Sequence, residues 1–460
     1  MYKILINDFK AVEAAIEKTE KFEYFEDLGK KIVAEQTGQL WNLSDDKKQY
    51  DRFMSLLNGS LKTVVDVSKL NISMLQNNQA EFQNNECLII LHDGSDIRKK
   101  YSEELECLDK VRDLDGNIIN GYPTFNSVLI DLPNQKVRLL QSTPYSTRDE
   151  NYLSSTKLKD YVEGKLLKAE REEVERLVES GNWYNHQTIV EKHVKKIDES
   201  IRVVNPEATI VHIYDRGHDN IDLFEYHQKK RDLFVIRSKT NRNSNELIIN
   251  DKGKEVFIKL RALQCFDGFE KQYDKIGFKG RVYTNVKGVF EWTKLELRGT
   301  IYHVLRVRMY RSSGHKLFKQ PMLLITNMEI NNHFVAELTF ELYMNRSKIE
   351  SVFKFCKSEL GWEKFRIRQF EAIKNLITFI YFIAGYFYEI EDDIVEHPVT
   401  QWLAQLGNGK GKTTPYYILR GIKKLYHFLE FQQIILQQDS KNNMEEALKI
   451  FFPNTKFKIE

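Results

Sequence analysis

In the stretch from Glu341 to Ser358, ELYMNRSKIESVFKFCKS, a tyrosine, an arginine, a glutamate and a lysine follow the spacing Y-x2-R-x3-E-x6-K. At about 100° per residue on a single helix, Tyr343, Arg346, Glu350 and Lys357 fall within roughly 60° of one another. One carboxylate in a row of phosphate-gripping donors suits phosphodiester chemistry, the acid holding a metal ion and the donors holding phosphate. The same spacing also describes an exposed amphipathic helix with ordinary i,i+4 ion pairs. A catalytic reading therefore needs further acids from elsewhere in the chain.

Two aspartates meet that need. Asp93 closes the apolar run CLIILHD and is followed by GSDIRKK, while Asp215 closes ATIVHIYD and is followed by RGHD. An aspartate at the exit of a buried strand projects into the crevice where α/β sheets place their ligands. Taken singly, each is also an ordinary turn or cap residue. Asp96 and Asp219 lie close by, and Asp219 is expected to cap the helix that starts near Asn220.

The elements that must position these acids can be read from periodicity. Residues 1–84 read as a helical module, ending in an Asn/Gln-rich linker, MLQNNQAEFQNNE. CLIILHD, SVLIDL and VRLLQST read as neighbouring strands, and a long charged helix is expected from Lys157 to Ser180. EKHVKKIDESIRVV leads to ATIVHIYD, DLFEYHQKK forms the next helix and DLFVIRS the next strand, which gives a mixed α/β sheet. From about 241 to 326 short β-type runs punctuated by Gly and Asn make a β-rich insertion. Helices resume near Val335. The apolar run Leu376–Tyr388, some five residues short of a membrane span, is expected to be a buried helix, and 391–460 is a helical C-terminal segment.

Taken together these features resemble the insertion-sequence-four family of DDE transposases. That family carries D-x-T/S on the first strand of a ribonuclease-H-like fold, D-R-x-x-D after the fourth, and a Y-R-E-K helix after a long β insertion. Here Asp93-Gly94-Ser95, Asp215-Arg216-Gly217-His218-Asp219 and Tyr343, Arg346, Glu350, Lys357 occur in that order, over about 85–390. The resemblance implies that Asp93, Asp215 and Glu350 hold two Mg²⁺ (or Mn²⁺) ions that clamp the attacking and leaving oxygens. It implies that Tyr343, Arg346 and Lys357 grip phosphates near the scissile bond of double-stranded DNA. It also implies a helical N-terminal domain that binds the element's inverted-repeat ends, a C-terminal segment that supports a synaptic homodimer, and joining of 3′-OH ends to target DNA. One departure stands out: where relatives that make hairpins open the last insertion strand with a Trp that stacks on a flipped base, this chain has Met322.

Basic clusters supply further candidate DNA contacts. The Lys/Arg-rich segment from Lys229 to Arg242 contains a single acid and includes Arg237 and Lys239, expected on the DNA backbone. In YHVLRVRMY, strand alternation puts Tyr302, Arg306, Arg308 and Tyr310 on one face, and Gly299 to Gln320 holds no acid. That face is expected to meet a DNA groove or an unstacked base. GNGKGKTT fails the phosphate-loop pattern because Leu406 occupies the first glycine position, so no nucleotide cofactor is expected. The histidines show no metal-ligand spacing and are expected at the surface.

With 69 Lys plus Arg against 66 Asp plus Glu, the net charge of +3 gives no global nucleic-acid signal. Cys87, Cys107, Cys265 and Cys356 lie far apart, with no zinc or disulfide pattern. Without an evident export signal this composition leads one to expect a cytoplasmic, nucleoid-associated protein with no membrane partner. The rival reading is a DNA-end-binding regulator, a domesticated or inhibitory relative that does not cut. Its weakness is that such a protein has no physical need for all three acids.

Overall fold

The computed structural model describes residues 20–58, 66–131, 136–239, 241–249, 255–265, 267–278, 281–394 and 398–436. They form two compact units: Asp66–Phe353 make one, and residues 16–65 together with 354–460 make the other. The boundary falls within the helix Ser347–Glu359, so residues 85–390 contribute to both units.

The first unit is built on a ten-stranded sheet. Its strands are β1 (Cys87–Arg98), β2 (Asp109–Arg112), β3 (Ile118–Asp131), β4 (Lys136–Pro144), β5 (Thr209–Tyr214) and β6 (Leu233–Arg237), with β9 (Asp267–Phe278), β10 (Arg281–Leu297), β11 (Thr300–Tyr310) and β12 (Met322–Thr326), while β7 (Asn243–Ile249) and β8 (Glu255–Lys259) pair separately. The order is β2-β3-β1-β5-β6-β12-β11-β10-β9, with β4 on β3. β1 is antiparallel to β3 and parallel to β5, and β5 is parallel to β6. This is a ribonuclease-H-like mixed sheet. The β-rich stretch is not a separate module, because β12 runs antiparallel to β6 and carries the sheet on through β11, β10 and β9.

β1, β5 and β6 are buried for most of their length, which is why they read as continuous apolar runs rather than alternating ones. Leu88, Ile90, Leu129, Leu140 and Ile210 pack with Ile197 and Ile201 of the helix His186–Val204. Phe224 of the helix Ile221–Lys230 packs with Phe234, Tyr302 and Ile325. The Asn/Gln-rich stretch is no linker. It forms the ends of the helices Val67–Asn77 and Gln79–Asn84, and Leu75 and Phe82 join the sheet core. Buried Asn78 between them donates to the carbonyls of Met74 and Leu139, and Asn71 brackets Ser142 of β4 through its backbone N–H and C=O, each at 2.9 Å. The expected long charged helix is two, Ser155–Val162 and Lys168–Ser180, broken where Gly164 takes a φ of +71°.

In the second unit the apolar run lies inside a longer helix, Phe370–Ile394. Its Phe370–Glu389 portion is long and apolar enough to cross a membrane, but 83% of that stretch is buried within the protein. Phe25 of the helix Glu20–Glu35 packs on Phe379, and Asn375 donates to the Leu57 carbonyl. The Gly/Lys-rich segment has a packing role: a Cβ on Gly407 would lie 2.0 Å from the Tyr417 carbonyl, and one on Gly421 would lie 1.9 Å from that of Leu403. Glycines at these points let the helices Pro398–Leu406 and Pro415–Leu436 approach backbone to backbone.

Candidate active site

β1 and β5 bring the two aspartates together. Their parallel register ends at His92 opposite Tyr214, so Asp93 and Asp215 leave neighbouring strands side by side and on the same face. β5 stops there, but β1 does not. It continues to Arg98 against β3, with Asp93 opposite Asn126, so Asp93 sits within a strand instead of at its end. Their neighbours His92 and Tyr214 point to the opposite face and stack with ring centroids 4.5 Å apart, forming a rigid layer behind the acids.

Glu350 reaches the same place by a route that differs from a single helix. The chain makes two helices, His333–Met344 and Ser347–Glu359, and Asn345 and Arg346 form the turn between them. There Arg346 N–H donates to the Tyr343 carbonyl and Ile349 N–H to that of Arg346, an i→i+3 pattern that tightens the backbone. The Asn345 side chain occupies the Glu341 carbonyl. From this turn the Arg346 guanidinium donates to Asp93 Oδ2 with one nitrogen and to Glu350 Oε1 with another. A single arginine thus ties the strand acid to the helix acid.

The charges around this bridge are unequal. Burial raises the Asp93 carboxyl to about 7; Arg346 opposes that rise, and the nearby Asp215 and Glu350 add to it. Burial would raise Asp215 too, but hydrogen bonds from His218 Nδ1 at 2.9 Å and the Gly217 N–H at 2.8 Å outweigh it, and the carboxyl lies below its ordinary value. Asp93 therefore holds its proton more tightly than Asp215 beside it, so the two adjacent acids have different proton affinities.

His218, only 7% exposed, is a site residue that the sequence reading missed. Its signal is present in the sequence: a histidine three residues after an Asp that opens a helical turn, here the 3₁₀ turn Arg216–His218, can return to cap that Asp. The described histidines divide: His186, His315, His333 and His427 are exposed as expected, but six others are buried. His92, His193, His212 and His227 are all at or below 2% exposure. Asp219 does not cap the following helix, a task that falls to Asn220, whose side chain accepts from the Asp222 N–H. Asp219 is buried instead and accepts from Ser238, the Lys239 N–H and Arg242, fixing the exit of β6.

Among the expected DNA contacts, Tyr343 is buried beside Arg237, which hydrogen-bonds to it, and close to Arg346. Burial raises the Tyr343 hydroxyl, and the two arginines pull it back. The Lys239 side chain is exposed. Lys357 lies in the second unit, 3.3 Å from Glu363. The expected basic face of β11 is not free. Glu291, directly across on β10, accepts from Nε and Nη2 of Arg306 at 3.0 Å and also pairs with Arg308, while Tyr302 is fully buried. Arg306, at 8% exposure, also donates to the Arg261 and Leu263 carbonyls, so it joins strand to loop and leaves no cation for a groove. Met322 opens β12 as expected, but its side chain is only 3% exposed.

Residues 191–384 match the family model described as Transposase DDE domain. This segment of the chain is similar to a transposase DDE domain. No curated protein matches the chain. The DDE domain's matched segment contains Asp215, Tyr343, Arg346 and Glu350, while Asp93 precedes it on β1 and is joined to it by the β1–β5 ladder and the Arg346 bridge. That similarity associates residues 191–384 with DNA transposition and recombination.

Proposed function

We propose that this protein is a cut-and-paste transposase of the insertion-sequence-four type, and that Asp93, Asp215 and Glu350 are its catalytic acids. The observation that carries the reading is the convergence of three carboxylates from two strands and a helix, with Asp93 and Glu350 sharing one arginine. Three acids so placed serve no common structural purpose, and burial, with Asp215 and Glu350 adding to it, raises Asp93. They offer the hard oxygen donors that Mg²⁺ or Mn²⁺ prefers, and a cation among them relieves the cost of the buried charge.

Two such ions, when bound, neutralise charge on the attacking and leaving oxygens of a phosphodiester. In this reading Asp93, Asp215 and Glu350 would hold the ions. Arg346 gives up its carboxylates and turns to phosphate, as Tyr343 does with Arg237 behind it. His218 keeps Asp215 ionised and oriented throughout. The N-terminal helices bind the inverted-repeat ends, the C-terminal helices support a synaptic homodimer, and the released 3′-OH ends are joined to target DNA.

The test is strand nicking on DNA carrying the element's ends. Asp93→Asn, Asp215→Asn and Glu350→Gln should each abolish Mg²⁺-dependent nicking while end binding by gel shift persists. Normal nicking by any one of them removes that residue from the triad, and end binding by the wild type with no nicking under any divalent ion supports a non-cutting regulator.

A further inference from the structure

On the sheet face opposite the carboxylates lies a second cluster that the transposition chemistry does not use. His212 of β5, His227 of the helix Ile221–Lys230 and Asp232 just after that helix are exposed by 0%, 0% and 1%, and their ligand atoms lie within 4.8 Å of one another. Asp198 of the helix His186–Val204 adjoins the group, its Oδ1 3.3 Å from His212 Nε2.

Each ring has one nitrogen engaged and one left over. His212 Nδ1 meets His92 Nε2 at 2.9 Å, and His227 Nε2 meets the Tyr214 hydroxyl at 2.9 Å. The other nitrogens, His212 Nε2 and His227 Nδ1, are buried without a hydrogen-bond partner, and so is Asp198 Oδ1. The second oxygen of Asp198 accepts from Tyr226 at 3.0 Å, and Asp232 Oδ1 accepts from Arg202 at 2.5 Å. Asp232 is brought there deliberately. Arg231 adopts a left-handed φ of +62°, and the Asp232 N–H closes onto the His227 carbonyl, so the chain doubles back under the histidine.

Unpaired buried polar atoms are costly. One proton satisfies at most one pair among these atoms, whereas one divalent cation satisfies them all. We propose that His212, His227, Asp198 and Asp232 form a structural zinc site, distinct from the catalytic acids. Two imidazoles and two carboxylates match the borderline N/O preference of Zn²⁺, and two aspartates neutralise its charge. The outer contacts to His92, Tyr214, Tyr226 and Arg202 orient the ligands as metal sites require. Tetrahedral binding at bond lengths of about 2.0–2.2 Å sets ligand atoms roughly 3.4 Å apart, so the cluster would contract on loading.

The test uses the full-length chain, untagged and purified without chelator, with metal content measured by plasma mass spectrometry. One equivalent of zinc should survive dialysis against Mg²⁺ buffer, and should survive equally in the Asp93→Asn, Glu350→Gln double variant, which excludes the catalytic acids as its source. His227→Ala should lose it. Should His227→Ala fail to fold, the wild type remains decisive: phenanthroline should lower its melting temperature, added zinc chloride should restore it, and cobalt substitution should give tetrahedral visible absorption. A folded wild-type protein with no zinc and no thermal response to zinc chloride, or full zinc retention by folded His227→Ala, overturns the proposal.

Discussion

Asp93→Asn offers a test of the carboxylate cluster that needs no DNA. In the folded, metal-free protein the Asp93 carboxyl is raised from 3.8 to about 7. A carboxyl whose folded value exceeds its unfolded one favours folding when protonated. Its stabilising contribution is complete below about pH 4, declines as pH rises toward 7, and is gone above that. At about 1.4 kcal/mol per tenfold, the penalty at pH 8 approaches about 4 kcal/mol. This is a ceiling, because the Asp93 side chain keeps 12% exposure and Arg346 in the variant retains Glu350. Asparagine carries no charge and escapes the decline. In EDTA at pH 8 the variant should therefore melt above wild type by as much as about 8 °C, at roughly 2 °C per kcal/mol for a unit of this size. The gap should close as pH falls toward 4, and Mg²⁺ should narrow it by stabilising wild type alone. Parallel melting curves for the two proteins from pH 4 to 8.5 would refute both the strained carboxylate and the cation site inferred from it.

Three further outcomes follow from named contacts. His218→Ala removes the hydrogen bond that holds Asp215 below its ordinary value, so half-maximal nicking should need several-fold more Mg²⁺ while end binding is unchanged; an unaltered Mg²⁺ titration would deny His218 a positioning role. Met322→Ala leaves a cavity in a buried strand and should cost about 2–4 kcal/mol, lowering nicking and any hairpin formation together, and a selective loss of hairpins would instead place Met322 on a flipped base. Arg420→Ala leaves Glu359, 4% exposed, without the guanidinium 3.0 Å away, and should lower the second unit's stability by about 2 kcal/mol; adding Glu359→Gln should recover part of that loss, and no recovery would mean that Arg420 acts through packing alone.

Local pattern made some of this legible and hid the rest. Asp93 and Asp215 could be found because each follows an unbroken apolar run, and runs of that kind are strands buried on both faces. Tyr343, Arg346 and Glu350 could be found from helical spacing, but the turn at Asn345–Arg346 could not, because either conformation keeps the three on one side. The basic face of β11 was misread because its neutralising acid, Glu291, sits on another strand, and only the β10–β11 register brings it opposite Arg306. The histidines were misread for a related reason. Nothing near His212 or His227 in sequence shows that the helix His186–Val204 will roof them over. The Asn/Gln-rich stretch resembled a linker because buried asparagines that satisfy backbone groups look, in sequence, like solvated ones.

The split makeup of the second unit has a consequence for synthesis. Its core joins the segment before residue 66 to the segment after residue 353, so the early helices leave the ribosome with apolar faces whose partners have not been made. Closing an unfolded loop of roughly 290 residues costs about 5 kcal/mol. Once the intervening chain has collapsed into its own compact body, the two flanking segments are held within a domain's diameter of each other and most of that cost is gone. The two-part makeup sets an order on assembly: the sheet bearing the acids needs only residues up to 353, whereas the helical unit cannot form until residues 354 onward have been made. A prematurely ended chain would keep the sheet and leave the early helices without a core.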